Sequence, residues 1–212
     1  MPRSALVVGA TGLVGSALLN VLLDSPRYER VNVWARRPLT VSHPKLAATV
    51  VDFDRLAELH VDAEDVYCTL GTTIRTAGSK GVFRRVDFDY PLALARTAAR
   101  DGAKRVLVVS SLGADSRSGM FYSRVKGEME ESVSEAGVRK ALFFRPSLLD
   151  GQRSEFRLGE RVALLIGLVL GPLLGRYRPI HAELVARAML RAAEKDLPAG
   201  VFESDRIREL AG

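Results

Sequence analysis

The chain has 212 residues, 47% of them hydrophobic and 26% charged, which excludes a disordered chain and is most simply one domain burying about 70% of its unfolded surface. Its single cysteine, Cys68, excludes an intramolecular disulfide and a cysteine metal cluster, so no metal is expected and a reducing, cytoplasmic setting is. The net charge of +6, from 31 Lys plus Arg against 25 Asp plus Glu, is spread from Arg3 to Arg208 without a basic run, which suits a phosphate-rich cofactor and gives no reason to expect a nucleic-acid partner.

Met1-Pro2-Arg3 leads directly into the apolar run Ala5-Leu6-Val7-Val8, leaving no room for a signal peptide. Gly9-Ala10-Thr11-Gly12-Leu13-Val14-Gly15 follows and opens a helical pattern with Leu13, Val14, Ala17, Leu18, Val21 and Leu22 on one face. A strand, a tight glycine turn and a helix start aim backbone N–H groups and the positive end of a helix dipole at a pyrophosphate. Gly9 permits the turn, Gly12 lets a dinucleotide approach the backbone, and Gly15 lets helix and strand pack closely.

Further strands are predicted at Val31–Trp34, Ala48–Val51, Asp65–Leu70, Arg105–Val109 and Lys140–Phe144, with helices at Leu13 to Leu23, Val86 to Arg100 and Tyr122 to Gly137. The alternation requires a parallel sheet with right-handed crossovers. After the second strand, where an acid would hold the ribose 2′-hydroxyl of NAD, stand Arg36 and Arg37; two guanidiniums and no carboxylate favour the 2′-phosphate of NADP(H), against the reading of a solvated basic turn before Pro38. Asp52 either lies beside the adenine or caps a short helix from Asp54 to Leu59. Leu70, Gly71 and Thr72, at the carboxyl end of the fourth strand, should line the cofactor's ribose and diphosphate, with Cys68 a buried strand residue. Ile74 to Gly81 reads as a solvated loop, and Pro91 falls in the first turn of its helix.

Ser110 and Ser111 end the fifth strand, and Tyr122 and Lys126 sit four apart on the next helix, on one face. Tyrosine, with an ordinary pKa of about 10, serves proton transfer at neutral pH only beside a cation, which Lys126 would supply. A serine hydroxyl would hold the substrate oxygen. Beyond the sixth strand, Pro146 to Leu149 would face the nicotinamide, and Arg153 and Arg157 could clamp an anion. The apolar run Val162 to Leu170, continuing through Leu174, is at about 13 residues too short for a bilayer span of ~20. It reads as a buried helix, an apolar substrate wall or a homodimer face, with peripheral membrane contact as the alternative. A helix from His181 to Glu194, a strand at Val201–Glu203 and a terminal helix capped by Ser204 or Asp205 complete the chain.

The whole sequence resembles the Tat-interacting-protein family of atypical short-chain dehydrogenase/reductases. The residues that carry the resemblance are the glycine turn, Arg36-Arg37, Cys68 to Thr73, Val86-Asp87-Phe88-Asp89-Tyr90, Ser110 to Asp115, Tyr122 with Val125-Lys126-Gly127-Glu128, and Phe144-Arg145-Pro146. The resemblance implies an α/β, Rossmann-like doubly wound sheet over residues 1–212, with 146–212 forming a small helical part that supplies most of the substrate side. It implies NADPH contacts at Thr11, Gly12, Leu13, Val14, Arg36, Arg37, Leu70, Gly71, Tyr122 and Lys126, with Leu149 and Arg157 closing the nicotinamide side. The central-helix asparagine of typical short-chain dehydrogenases has no evident counterpart, Asp87 being nearest. The expected activity is NADPH-dependent hydride transfer to or from a small, partly apolar carbonyl or alcohol. An NADP(H)-sensing regulator without turnover is the alternative.

Overall fold

A computed structural model describes residues 3–150 and 177–212. The apolar runs become strands because alternate side chains can be buried on opposite faces of one sheet. In chain order the elements are β1 Ser4–Val8, α1 Leu13–Asp24, β2 Arg30–Ala35, β3 Leu46–Val50, a 3-10 turn Phe53–Glu58, β4 Asp65–Cys68, α2 Ile74–Ala77, α3 Lys80–Arg84, a π-helical turn Arg85–Asp89, α4 Tyr90–Arg100, β5 Arg105–Val109, α5 Phe121–Ser134, β6 Ala141–Arg145, β7 Leu149–Asp150, β8 Ile180–His181, α6 Ala182–Glu194, β9 Gly200–Glu203 and α7 Ser204–Ala211.

Seven strands form one sheet in the order β3-β2-β1-β4-β5-β6-β9, every pair parallel, and β7 and β8 pair separately. This is the doubly wound, Rossmann-like arrangement the alternation requires. Ala5, Val7, Val31, Val33, Leu107 and Phe144 face α1, α6 and α7, while Leu6, Val8, Val66, Cys68, Val106 and Phe143 face α4 and α5. The strand order reverses between β1 and β4, and there the carboxyl ends diverge into a crevice that receives a ligand in such sheets.

Besides shifts of a few residues at element ends and the unpredicted pair β7 and β8, the structure departs from expectation in three places. β3 begins two residues earlier than predicted: it is an edge strand whose Ala47 to Val50 are exposed, so burial leaves no mark on its sequence and pairing with β2 sets its limits. The segment read as a loop, Ile74 to Gly81, is largely helical, and helix runs on from Lys80 to Arg100. Pro91 therefore sits within a continuous helical run, where its absent N–H and its ring disfavour a regular turn. The run widens just before it, and Tyr90 N–H reaches back five residues to Arg85 O. Finally, neither Ser204 nor Asp205 caps α7: its first position is Ser204 itself, and Glu203 precedes it without a side-chain cap.

Candidate functional site

The glycine turn joins β1 to α1 as expected. Gly9 has φ +98, and a Cβ there would lie 2.7 Å from Thr69 C. A Cβ on Gly15 would lie 2.1 Å from Gly9 O, so the turn packs against the helix with no room for a side chain. At Gly12 an added Cβ would meet only Gly9 O, at 3.4 Å, and Thr69 O, at 4.0 Å. The helix start carries no side-chain cap and no acid in its first turn, which leaves its N–H dipoles to an anion. Thr11 is exposed, Leu13 half-buried, and Val14 is buried in the core, so Val14 offers a ligand only its backbone.

On the adenine side, Arg36 and Arg37 are exposed just beyond β2. Asp52 takes the capping role: its Oδ1 accepts from Asp54 N–H at 3.0 Å. Nearby, Phe53 and Tyr90 meet edge to face with ring centroids 5.6 Å apart, and Tyr90 donates to Asp54 Oδ1 at 2.8 Å. The charges of Arg85 and Arg36 both act on the Tyr90 hydroxyl. Arg85 is thus a second source of positive charge on this side. The sequence reading missed it because the π turn that presents it has no signature of its own.

The reactive residues gather on α5 and beyond the carboxyl ends of β4 and β5. Tyr122 and Lys126 lie one turn apart on α5, and the Tyr122 ring packs on Phe83 of α3 at 5.4 Å between centroids. Lys126 is buried, with its Nζ 2.8 Å from Asp87 Oδ1. The other carboxylate oxygen of Asp87 accepts from Thr72 N–H at 2.9 Å, and a Cβ on Gly71 would lie 3.6 Å from Asp87 and 3.9 Å from Lys126 Nζ. Gly71, Thr72, Asp87 and Lys126 are therefore one cluster. Burial works against the Lys126 charge, yet Asp87 above all, with Tyr122 and Cys68, holds its pKa above the ordinary lysine value. Burial pushes the Cys68 thiol up to about 11, so it stays protonated and packs as an apolar residue, as expected.

Ser110 is 5% exposed, and its hydroxyl is buried without a hydrogen-bond partner among the described residues. Leaving such a group unpaired costs about 1–3 kcal/mol, an expense that a ligand oxygen would remove. Ser111 is half-buried, and among the described residues its Oγ makes one long contact, 3.4 Å, to Leu112 O. The loop after these serines packs closely on α5: a Cβ on Gly127 would lie 2.1 Å from Ser116 N. That contact needs glycine next to Lys126.

Leu149 pairs with Ile180 across β7 and β8 and packs on the core. His181 Nδ1 lies 3.4 Å from Asp150 Oδ2. Arg153, Arg157 and the apolar run Val162 to Leu174 lie outside the described residues. Among the described residues no cluster of side chains could hold a metal ion, and no helix is long and apolar enough to cross a membrane.

A family model for the NAD dependent epimerase/dehydratase family matches residues 5–203. The chain belongs to that family. Its members are NAD-dependent enzymes of the short-chain dehydrogenase/reductase kind, and the resemblance to the Tat-interacting-protein branch holds: Protein HTATIP2 of Rattus norvegicus is 39% identical over 167 residues, covering 76% of this chain and 69% of the rat protein. "Protein FMP52, mitochondrial" of Coccidioides immitis is 35% identical over 226 residues, 97% of this chain and 92% of the relative. Among solved structures, "MoeE5 in complex with UDP-glucuronic acid and NAD" superposes with a TM-score of 0.72 at 20% identity, over 94% of this chain and 75% of the other. WbmH of Bordetella bronchiseptica in complex with NAD+ does so with a TM-score of 0.72 at 15% identity, over 95% and 75%. These likenesses establish the fold of this epimerase/dehydratase-family chain.

One expectation is corrected here. Relatives matched over nearly the whole chain, from Coccidioides immitis, Aspergillus clavatus and Candida albicans, are named mitochondrial, which points away from the cytoplasmic setting read from the lone cysteine. A buried, unreactive thiol carries no information about redox compartment beyond the lack of disulfides.

Proposed function

We propose that this family member is an NADPH-dependent oxidoreductase that moves a hydride between the cofactor and a small, partly apolar carbonyl or alcohol, with Tyr122 as proton donor. The observation that carries the reading is Lys126, a buried ammonium on the Tyr122 face of α5, set against Gly71 at the carboxyl edge of the sheet. When bound, the nicotinamide supplies or accepts the hydride. Tyr122 gives its proton to the oxygen that becomes an alkoxide, and the charge of Lys126 stabilises the phenolate left behind. The Ser110 hydroxyl, seconded by Ser111, donates to the same oxygen. The glycine turn from Gly9 to Gly15 holds the diphosphate, and Leu70, Gly71 and Thr72 flank the ribose. Arg36 and Arg37 clasp the 2′-phosphate. In the described part of the C-terminal third, Leu149 lies on the nicotinamide side.

Two measurements test this. Tyr122→Phe should lower NADPH oxidation, read on the best substrate from a panel of aldehydes, ketones and quinones, by about 10²- to 10⁴-fold while leaving NADPH affinity unchanged. Unaltered turnover in that variant, or none by the native protein across the panel, overturns the catalytic role. Arg36→Ala with Arg37→Ala should weaken NADPH about 10- to 100-fold and NADH far less, by fluorescence titration. Equal loss of both removes the 2′-phosphate assignment.

A further inference from the structure

Nothing in the proton-transfer scheme above uses Asp87, yet it is 1% exposed and lies against Lys126, itself 3% exposed. A lone ammonium taken out of water at this depth gives up its proton, because burial penalises only the charged form. A neutral Lys126 could neither stabilise a phenolate nor hold ribose oxygens by charge. Among the described residues, the titratable groups that act most on the Lys126 ammonium are Asp87 from the π turn, Tyr122 from its own helix and Cys68 from β4. Of these only Asp87 is a carboxylate. Among the neighbouring charges, Arg84 and Arg124 pair with Glu128, and Arg145 pairs with Glu130 at 2.6 Å.

The placement of Asp87 is also specific. One carboxylate oxygen meets Lys126 and the other meets the Thr72 N–H, so the same group ties α5 to the loop that follows β4. Phe83, Asp87 and Pro91, four apart, are all buried on one side of the helical run. A regular helix drifts by about 40° over four residues, and the wider π turn reduces that drift.

We propose that Asp87 is a positioning residue whose carboxylate keeps Lys126 a cation and aims it into the crevice, so that the charge Tyr122 needs survives burial. The proposal rests on Tyr122 and Lys126 being the proton-transfer pair. Its own test needs no substrate. The full chain labelled with ¹³C-lysine is titrated by NMR, with Lys126→Met assigning the Lys126 Cε signal. The native signal should show no loss of charge below about pH 9.5, near the ordinary lysine range. In Asp87→Asn it should titrate at least about one unit lower, a tenfold larger neutral fraction at a given pH, and Asp87→Glu should recover part of that shift. The alkaline limb of kcat, once a substrate is found, should move down by the same amount in Asp87→Asn.

A native Lys126 that discharges below about pH 9, or an Asp87→Asn signal that coincides with the native one, overturns the proposal. The native titration decides even where Asp87→Asn does not fold. Absent turnover with the expected titrations would sink the enzymatic reading and leave the role of Asp87 in holding the Lys126 charge intact. Tyr122-dependent turnover with an unshifted Asp87→Asn signal would do the reverse.

Discussion

Gly12 and Gly15 both belong to the turn, but they answer to different physical demands. A methyl on Gly15 would collide with the Gly9 carbonyl at 2.1 Å, whereas on Gly12 it would sit at a tolerable 3.4 Å. Gly15→Ala should therefore cost about 1–3 kcal/mol of stability by overpacking, measured by urea unfolding. Gly12→Ala should unfold near the native midpoint and yet lose nucleotide affinity, since its methyl would stand where the diphosphate is to approach. Equal stability of the two variants would show that the turn yields. These glycines, the arginines after β2 and the Tyr122–Lys126 spacing are legible in the sequence because each rests on a local pattern. Asp87 was not assignable that way. Its partners Lys126 and Thr72 come from other elements, and only the folded sheet brings them together.

The helical run from Ile74 shows a different limit. Thr73 Oγ1 accepts from Thr76 N–H at 3.0 Å and Ser79 Oγ from Val82 N–H at 3.1 Å, two side-chain caps at two helix starts. Threonine and serine suit a loop as well as a helix start, so these residue types alone do not distinguish the two. Gly78, at φ +77, ends one helix, and Gly81 sits inside the next. At the far end of the run, Asp101 follows α4 and accepts from Val61 N–H at 2.7 Å, tying the helix to the chain that leads into β4. Hydrogen bonds from Arg100, opposed by burial and aided by the Val61 N–H, hold its carboxyl well below the usual range. A depressed carboxylate pKa gives stability that is present above the unfolded value of about 3.9 and lost as pH falls through the folded one. Asp101→Asn should thus lower the urea midpoint at pH 7 and flatten its decline below about pH 5. An acid limb identical to the native one would assign that decline to other groups.

Across the whole molecule, short apolar runs let nearly the entire sheet be read in advance, since strands buried on both faces advertise themselves in that way. What stayed hidden was the charge buried at the other end of it. Asp65, fully buried at the start of β4, accepts from Arg105 Nη1 at 2.6 Å, from Arg27 Nη2 at 3.2 Å and from the Tyr28 hydroxyl, which in turn contacts the Tyr67 hydroxyl at 2.7 Å. In sequence these look like polar residues at strand ends. Asp65→Ala would strand a buried guanidinium and should cost about 3 kcal/mol in urea unfolding, and a loss under about 1 kcal/mol would mean that the cluster behaves like a surface pair. Asp65 opens β4, and the strand delivers Thr69 to Thr72 to the crevice only at its opposite end, about 10 Å away at ~3.3 Å per residue. Substitutions that far apart with no shared neighbour add independently. The buried charge cluster at the amino end of β4 can therefore be hardened against heat, or softened, by an engineer who leaves selectivity and rate at the opposite end as they were.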